Sequence, residues 1–289
     1  PPPRAAFALL DRQPLETADE NTPIDTIPQV VGEVFIFGKQ TDRDARLELV
    51  AEAGSDLDTA QRALGEIVGA SLGEPGECET INQVSLVEAT MNDRWRLPDR
   101  TPPEVVEELL VAHRRDVVLE RWPNVPMPAL DGKTPMEAAG DENYRRRLQA
   151  AVQLLEQSSQ QQMQTFDFGE LRDKLGLPRP KPVDPWSSDL NRLPPTRWNR
   201  VEFEKLEDDD LMRLYVRAAG MRVIDALRQA SEEVVARPSL EGKVDKVDAL
   251  LVLTEIEPRL TKAIELVERA VALAEQKQGS PARALLAEI

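Results

Sequence analysis

Four features of the sequence carry residue types that could do chemistry: the single histidine His113, the single cysteine Cys78, the triplet Asp167-Phe168-Gly169 and the run Arg145-Arg146-Arg147. An imidazole serves as general base or metal ligand only with partners. His113 would have to complete a metal site with carboxylates alone, and no placed nucleophile accompanies it, so it reads as a structural helix histidine. Cys78 lies in a loop with Glu74, Glu77 and Glu79, and negative neighbours work against a reactive thiolate. The Asp-Phe-Gly triplet matches a kinase element, but neither a Gly-rich loop nor a His-Arg-Asp catalytic loop precedes it. The arginine run reads as a solvated face balancing Asp141 and Glu142, or as a contact for an anion or an acidic partner. No phosphate-binding loop, metal-ligand spacing or Gly-X-Ser-X-Gly elbow is present. The expectation is therefore no catalytic residue, no cofactor and no metal; the enzyme alternative is an unrecognised carboxylate pair.

The totals narrow the classes. The 289 residues suffice for two or three domains, and the net charge of −16 opposes phosphate binding, so no nucleic-acid partner is expected. The same charge disfavours anionic membranes, and no run of 18 apolar residues exists. One cysteine precludes an internal disulfide or a Cys-based zinc cluster and fits a reducing cytoplasm. The first residues are Pro1-Pro2-Pro3-Arg4, with no initiator Met, which suggests a piece of a longer protein. Aromatic content is 4%, so Ala, Leu and Val must form the core, and the 23 prolines cluster where connectors would be.

The elements that must position these residues follow in chain order. Residues 1–28 read as an extended arm with one helical turn near Ala5–Leu10. Val30–Phe37 is β-branched and aromatic, Arg46–Glu52 alternates apolar and charged, and the two read as a hairpin. Ser55 reads as the N-cap of a four-turn helix ending near Gly69. Gln83–Met91 has strand composition. Residues 29–97 are thus predicted as a small antiparallel β-β-α-β domain within an α+β chain. Residues 98–177 are predicted helical. Thr101-Pro102-Pro103-Glu104 and Thr134-Pro135-Met136-Glu137 both match a capping box with proline in the first turn. Between them Trp122 ends a helix, Pro123, Pro126 and Pro128 hold the backbone extended, Leu130 is an apolar plug and Asp131-Gly132 a tight turn. Gly140 is the expected break in the helix that follows. Gln157–Gln164 reads as a fraying helix end or a linker. Residues 178–207 form a Pro-rich connector that Trp186 and Trp198 would pack against its neighbours; the alternative is a Pro-rich ligand for another module. Residues 208–289 are predicted as helical hairpins, with Asp208-Asp209-Asp210 at a helix start, Ala263 and Ala270 permitting close helix approach, and a further helix restarting at Ser280-Pro281-Ala282.

Trp122 and the run Pro128-Ala129-Leu130-Asp131-Gly132-Lys133-Thr134-Pro135, with Glu137-Ala138-Ala139, resemble the toxin-binding domain of the Xre/MbcA/ParS antitoxins. With Leu171-Arg172-Asp173-Lys174-Leu175-Gly176-Leu177, they resemble more closely a bacterial family in which such a segment accompanies SEC-C zinc-binding motifs. The SEC-C cysteines are absent, so no zinc is implied, and the helix-turn-helix half of the antitoxins has no counterpart, so no DNA binding is implied. The run Ala263–Leu273 resembles the second helix of a tetratricopeptide repeat, whose first-helix signature is missing.

These readings converge on a non-catalytic, cytoplasmic protein that binds a protein partner through its C-terminal hairpins and the Trp122–Glu156 stretch. The candidate interaction residues are Trp122, Leu130, Gly132, Pro135, Arg145 and Arg146. The alternative is an antitoxin-like regulator that binds a toxin.

Overall fold

The computed structural model describes residues 2–39, 41, 43–74, 76–92, 94–161 and 166–276, and the chain divides into two units, Pro1–Val117 and Val118–Ile289. The fold is α+β, with a small antiparallel sheet at the N-terminal end followed by a mainly helical region.

The first unit holds a three-stranded sheet of order β1 (Ala5–Leu10), β2 (Val30–Phe37), β3 (Arg46–Val50), with helix α1 (Ser55–Val68) packed on it. The β2–β3 hairpin is as predicted, pairing Val34 with Leu49 and Phe35 with Glu48. The order β-β-α-β is not. Ala5–Leu10 is an edge strand and not a helical turn, with Ala5 opposite Ile36 and Phe7 opposite Val34. Its Ala- and Leu-rich composition favours a helix in isolation, but pairing along β2 satisfies its backbone and buries Leu9, so tertiary context overrides propensity. The arm is tied down beyond β1 as well. The Asp11 carboxylate accepts from the Gln29 backbone N–H at 2.9 Å, and the Asp11 N–H donates to the Gln29 carbonyl at 3.0 Å.

The strand predicted at Gln83–Met91 is replaced by helix α2 (Leu86–Met91), whose N-cap Ser85 accepts from the Glu88 N–H at 3.1 Å. Extended pairing comes slightly later: the Val30 N–H donates to the Arg94 carbonyl and the Arg96 N–H to the Pro28 carbonyl, at 2.7 and 2.9 Å. Arg94 also pairs with Glu52 and Asp56 at the start of α1. The core under α1 is Leu9, Val31, Val34, Ala60 and Leu64. Gly32 lets the helix approach: a Cβ there would stand 3.1 Å from that of Ala60 and 3.2 Å from the Val50 carbonyl oxygen. Gly54, not Ser55, is the N-cap of α1, and Gly69 closes it with φ of 58°. Helix α3 (Pro103–Asp116) begins one residue later than predicted, with Pro102 as N-cap and no capping box. The Thr101 hydroxyl donates instead to the Pro98 carbonyl at 2.8 Å.

Val117–Arg121 forms a π-helical turn that starts on the last residue of the first unit, and in the second unit Trp122–Asn124 forms a 3-10 turn. Val125 and Met127 are extended, as predicted, but Pro128 opens a second 3-10 turn ending at Leu130. Helices α4 (Pro135–Ala139), α5 (Arg145–Gln161) and α6 (Phe168–Lys174) follow, with the expected break at Gly140. The end of the Gln-rich stretch, 162–164, lies outside the described residues, as does the helix expected to restart at Ser280. Helices α7 (Asp208–Met221), α8 (Ile224–Ala236), α9 (Lys246–Glu255) and α10 (Leu260–Gln276) each pack against the next.

Residues 178–207 are not a bare connector. Trp198, Val201, Phe203 and Leu206 belong to the same core as α7–α10, and Val183 bridges Val201 in parallel. Trp198 is fully buried and its indole N–H donates to the Leu193 carbonyl at 2.9 Å, whereas Trp186 is 69% exposed. Helix α9 buries Val247, Ala249, Leu250 and Leu253, covered by α8 and α10 on two sides, and leaves Asp248 and Glu255 exposed. Ala270 and Ala274 of α10 are buried in this core, where small side chains allow close approach.

Candidate functional site

The structure places two objects where the sequence pointed: the Trp122–Glu156 stretch and the C-terminal helical layer. In the first, each signal resolves into a packing or capping role. The Thr134 hydroxyl accepts from the Glu137 N–H at 3.1 Å, and the Glu137 carboxylate accepts from the Thr134 N–H at 2.8 Å, a complete capping box. Asp131 and Gly132 turn the chain with φ of 56° and 83°. A left-handed non-glycine residue needs support. Asp131 has it from α5 and the residue just before it, since its carboxylate accepts from the Tyr144 hydroxyl at 3.1 Å and from Arg147 of α5 at 2.8 Å. Lys133 lies over the Tyr144 ring at 4.3 Å and reaches the Asp141 carboxylate at 3.4 Å. The Asn143 N–H, with help from Lys133, holds that carboxyl below the usual range.

Of the candidate interaction residues, Trp122, Leu130 and Pro135 are buried and serve as core anchors, while Gly132, Arg145 and Arg146 are exposed. Arg145 pairs with Glu142 at 2.7 Å. Leu171–Leu177 completes the same body: Leu171, Leu175 and Leu177 are buried, and Arg172 pairs with Glu156 of α5. Gly176 takes φ of 62°, so the Leu177 N–H can reach back to the Arg172 carbonyl at 2.8 Å. Lys174 donates to the Leu119 carbonyl and to the Glu120 carboxylate, at 2.6 and 2.8 Å.

The second object is a cleft of about 360 Å³ walled by α8, α9 and α10. Val235, Ala236, Leu253 and Leu266 supply its apolar surface, and Arg228, Glu232, Glu257, Lys262 and Arg269 its charges. Glu257, in the turn after α9, organises one wall. Its side chain is withdrawn from solvent. It accepts from Arg228 at 2.9 Å and from Arg259 at 2.8 Å, with Lys262 at 3.6 Å. Burial alone would raise its pKa, but the Arg259 side chain and N–H, with Arg228, outweigh burial and hold the carboxyl below its ordinary value. The wall therefore stays ionised at neutral pH. Arg228 spends a further donor on the Ile256 carbonyl, while its Nε–H is buried without an acceptor among the described residues. The helices are legible in the sequence, but the convergence of these charges is not. Their signal was only Glu257-Pro258-Arg259 between two apolar helical periods, which reads as an ordinary turn.

The residues first considered for chemistry are elsewhere. His113 is buried in the first unit with its ring centroid 4.0 Å from that of Trp95. Cys78 is exposed. Asp167 caps α6 by accepting from the Gly169 N–H at 2.8 Å. Among the described residues no group of three or more His, Cys, Asp or Glu side chains could hold a metal ion, and no helix is long and apolar enough to cross a membrane. Comparison with protein-family models, with curated proteins and with solved structures returned no match to this chain.

Proposed function

We propose that the chain is a non-catalytic, cytoplasmic binding protein that recognises a protein partner through its C-terminal helical layer. The observation that carries this reading is the α8–α10 cleft, where apolar side chains line a concavity edged by ionic groups. That combination suits an anchoring side chain with polar contacts around it. The lone cysteine supports a reducing compartment. A photoreactive amino acid placed at Ala236 or Arg269, on the cleft, should yield a covalent adduct in cells producing the protein. The same label at Val216, exposed on α7, should not. Equal labelling from all three positions would count against the cleft.

A second reading, an antitoxin-like regulator, is favoured by one observation. Gly132, Arg145 and Arg146 remain exposed around a turn that is otherwise firmly anchored. It requires that substitutions at Arg145 and Arg146 abolish protection against a toxin produced alongside, while the cleft variants leave protection intact.

A further inference from the structure

We propose that the α8–α10 cleft takes an acidic peptide segment, seating one large apolar side chain between α8 and α10 over Leu253 of α9, and a neighbouring carboxylate against Lys262 and Arg269; this rests on the partner-binding reading above. Charge complementarity and unspent donors select this ligand. Three cations, Arg228, Lys262 and Arg269, and two anions, Glu232 and Glu257, line the cleft. Glu257 is already shared among Arg228, Arg259 and Lys262, and Glu232 opposes one further cation, so the lining keeps an excess of one positive charge. Arg269 has no hydrogen bond or ion pair to another described residue, and the contact of Lys262 to Glu257 is long, at 3.6 Å. Each can turn to an incoming carboxylate without breaking a tight pair.

Leu253 and Leu266 are buried, and Val235 is half-buried beside them, which sets the site for an aliphatic or aromatic anchor. A negative ligand meets a chain of net charge −16, yet distant charges are screened beyond about 8 Å at physiological ionic strength. The local cations then decide affinity, while the overall charge slows encounter.

The test uses the full chain and a fluorescein-labelled, N-acetylated, C-amidated peptide with one central Phe flanked on each side by two Glu in a Gly-Ser background. Anisotropy should show saturable binding, weakened about tenfold or more when the Glu are changed to Gln or the Phe to Ser. Lys262→Gln with Arg269→Gln should weaken it similarly, Arg269→Gln alone by less, with thermal unfolding unchanged. A Lys-flanked version of the peptide should instead prefer Lys262→Glu with Arg269→Glu, a gain that a folding defect could not produce. If the Gln peptide binds as well as the Glu peptide, the acidic chemistry is overturned and the partner-binding reading stands. If no peptide binds while the Ala236 and Arg269 adducts form, the chemistry is again overturned alone. If neither binding nor adducts appear, both fail.

Discussion

Arg172 of α6 and Glu156 of α5 form an ion pair whose side chains are only 8% and 18% exposed, sixteen residues apart in sequence. Arg172 is held further by the Phe168 carbonyl at 3.3 Å. A pair this withdrawn has lost most of its hydration, so its members depend on one another. Arg172→Met alone, or Glu156→Leu alone, is expected to lower stability by about 3 kcal/mol, because each leaves a charge without its partner. The double variant should lose clearly less than the sum, since the two partners leave together and only Arg200 loses the nearby Glu156 charge. Urea unfolding of the four proteins checks this; additive losses would show that the pair is not coupled.

Gly32 sets the distance between β2 and α1. Contacts of 3.1–3.2 Å surround the position its Cβ would take, from Ala60, Leu49 and the Val50 carbonyl, one of them backbone that cannot rotate away. Gly32→Val is expected to destabilise the first unit by about 2 kcal/mol through overpacking, despite valine's better strand propensity. Amide hydrogen exchange should quicken in α1 and β2 while α7–α10 are unaffected. Unchanged protection in α1 would mean that the helix shifts at no cost.

The two Thr-Pro-X-Glu segments show how far local sequence reaches. At Thr134 the box forms, because Pro135 packs inward at the first helical position and Glu137 can fold back. At Thr101 a second proline, Pro103, moves the start along by one residue, and the hydroxyl turns to the Pro98 carbonyl. A working cap stands at Ser85, whose Glu88 lies at the capping-box spacing inside a stretch of strand-like composition. β1 was illegible for a different reason: Ala5–Leu10 has no strand signal of its own, and its state depends on β2, some twenty residues away. Legible throughout were elements with sustained periodicity, α7 through α10 and the β2–β3 hairpin. The cleft was not, since it joins Arg228, Glu257 and Arg269 from three elements with no shared period.

That contrast is measurable. Thr134→Ala should lower stability by about 1 kcal/mol, the usual loss of a working N-cap, and Thr101→Ala by less than about half of that. Chemical denaturation with an unchanged m-value distinguishes them. Equal losses would mean that the Thr101 to Pro98 bond is worth as much as a cap.

Glu257 makes the stability of the helical layer pH-dependent, alongside Asp208, whose carboxyl the Ser239 hydroxyl and Arg237 also hold low. Its folded pKa lies below the ordinary 4.5, as burial, which would raise it, is outweighed by Arg259 and Arg228. The unfolded chain therefore binds its proton more readily than the folded one. The stabilisation from ionised Glu257 is complete above 4.5 and is lost as pH falls below that value through the folded pKa. Glu257→Gln keeps the shape but removes the charge from beside Arg228, whose side chain is 15% exposed, so at neutral pH it should cost about 3 kcal/mol. The difference between the two proteins should shrink on acidification below 4.5, because protonation makes the parent chain resemble the variant. Thermal unfolding of both proteins from neutral pH down to about pH 3 measures that gap. A gap that stays constant across the range would mean that Arg228 and Arg259 do not hold the Glu257 carboxylate ionised.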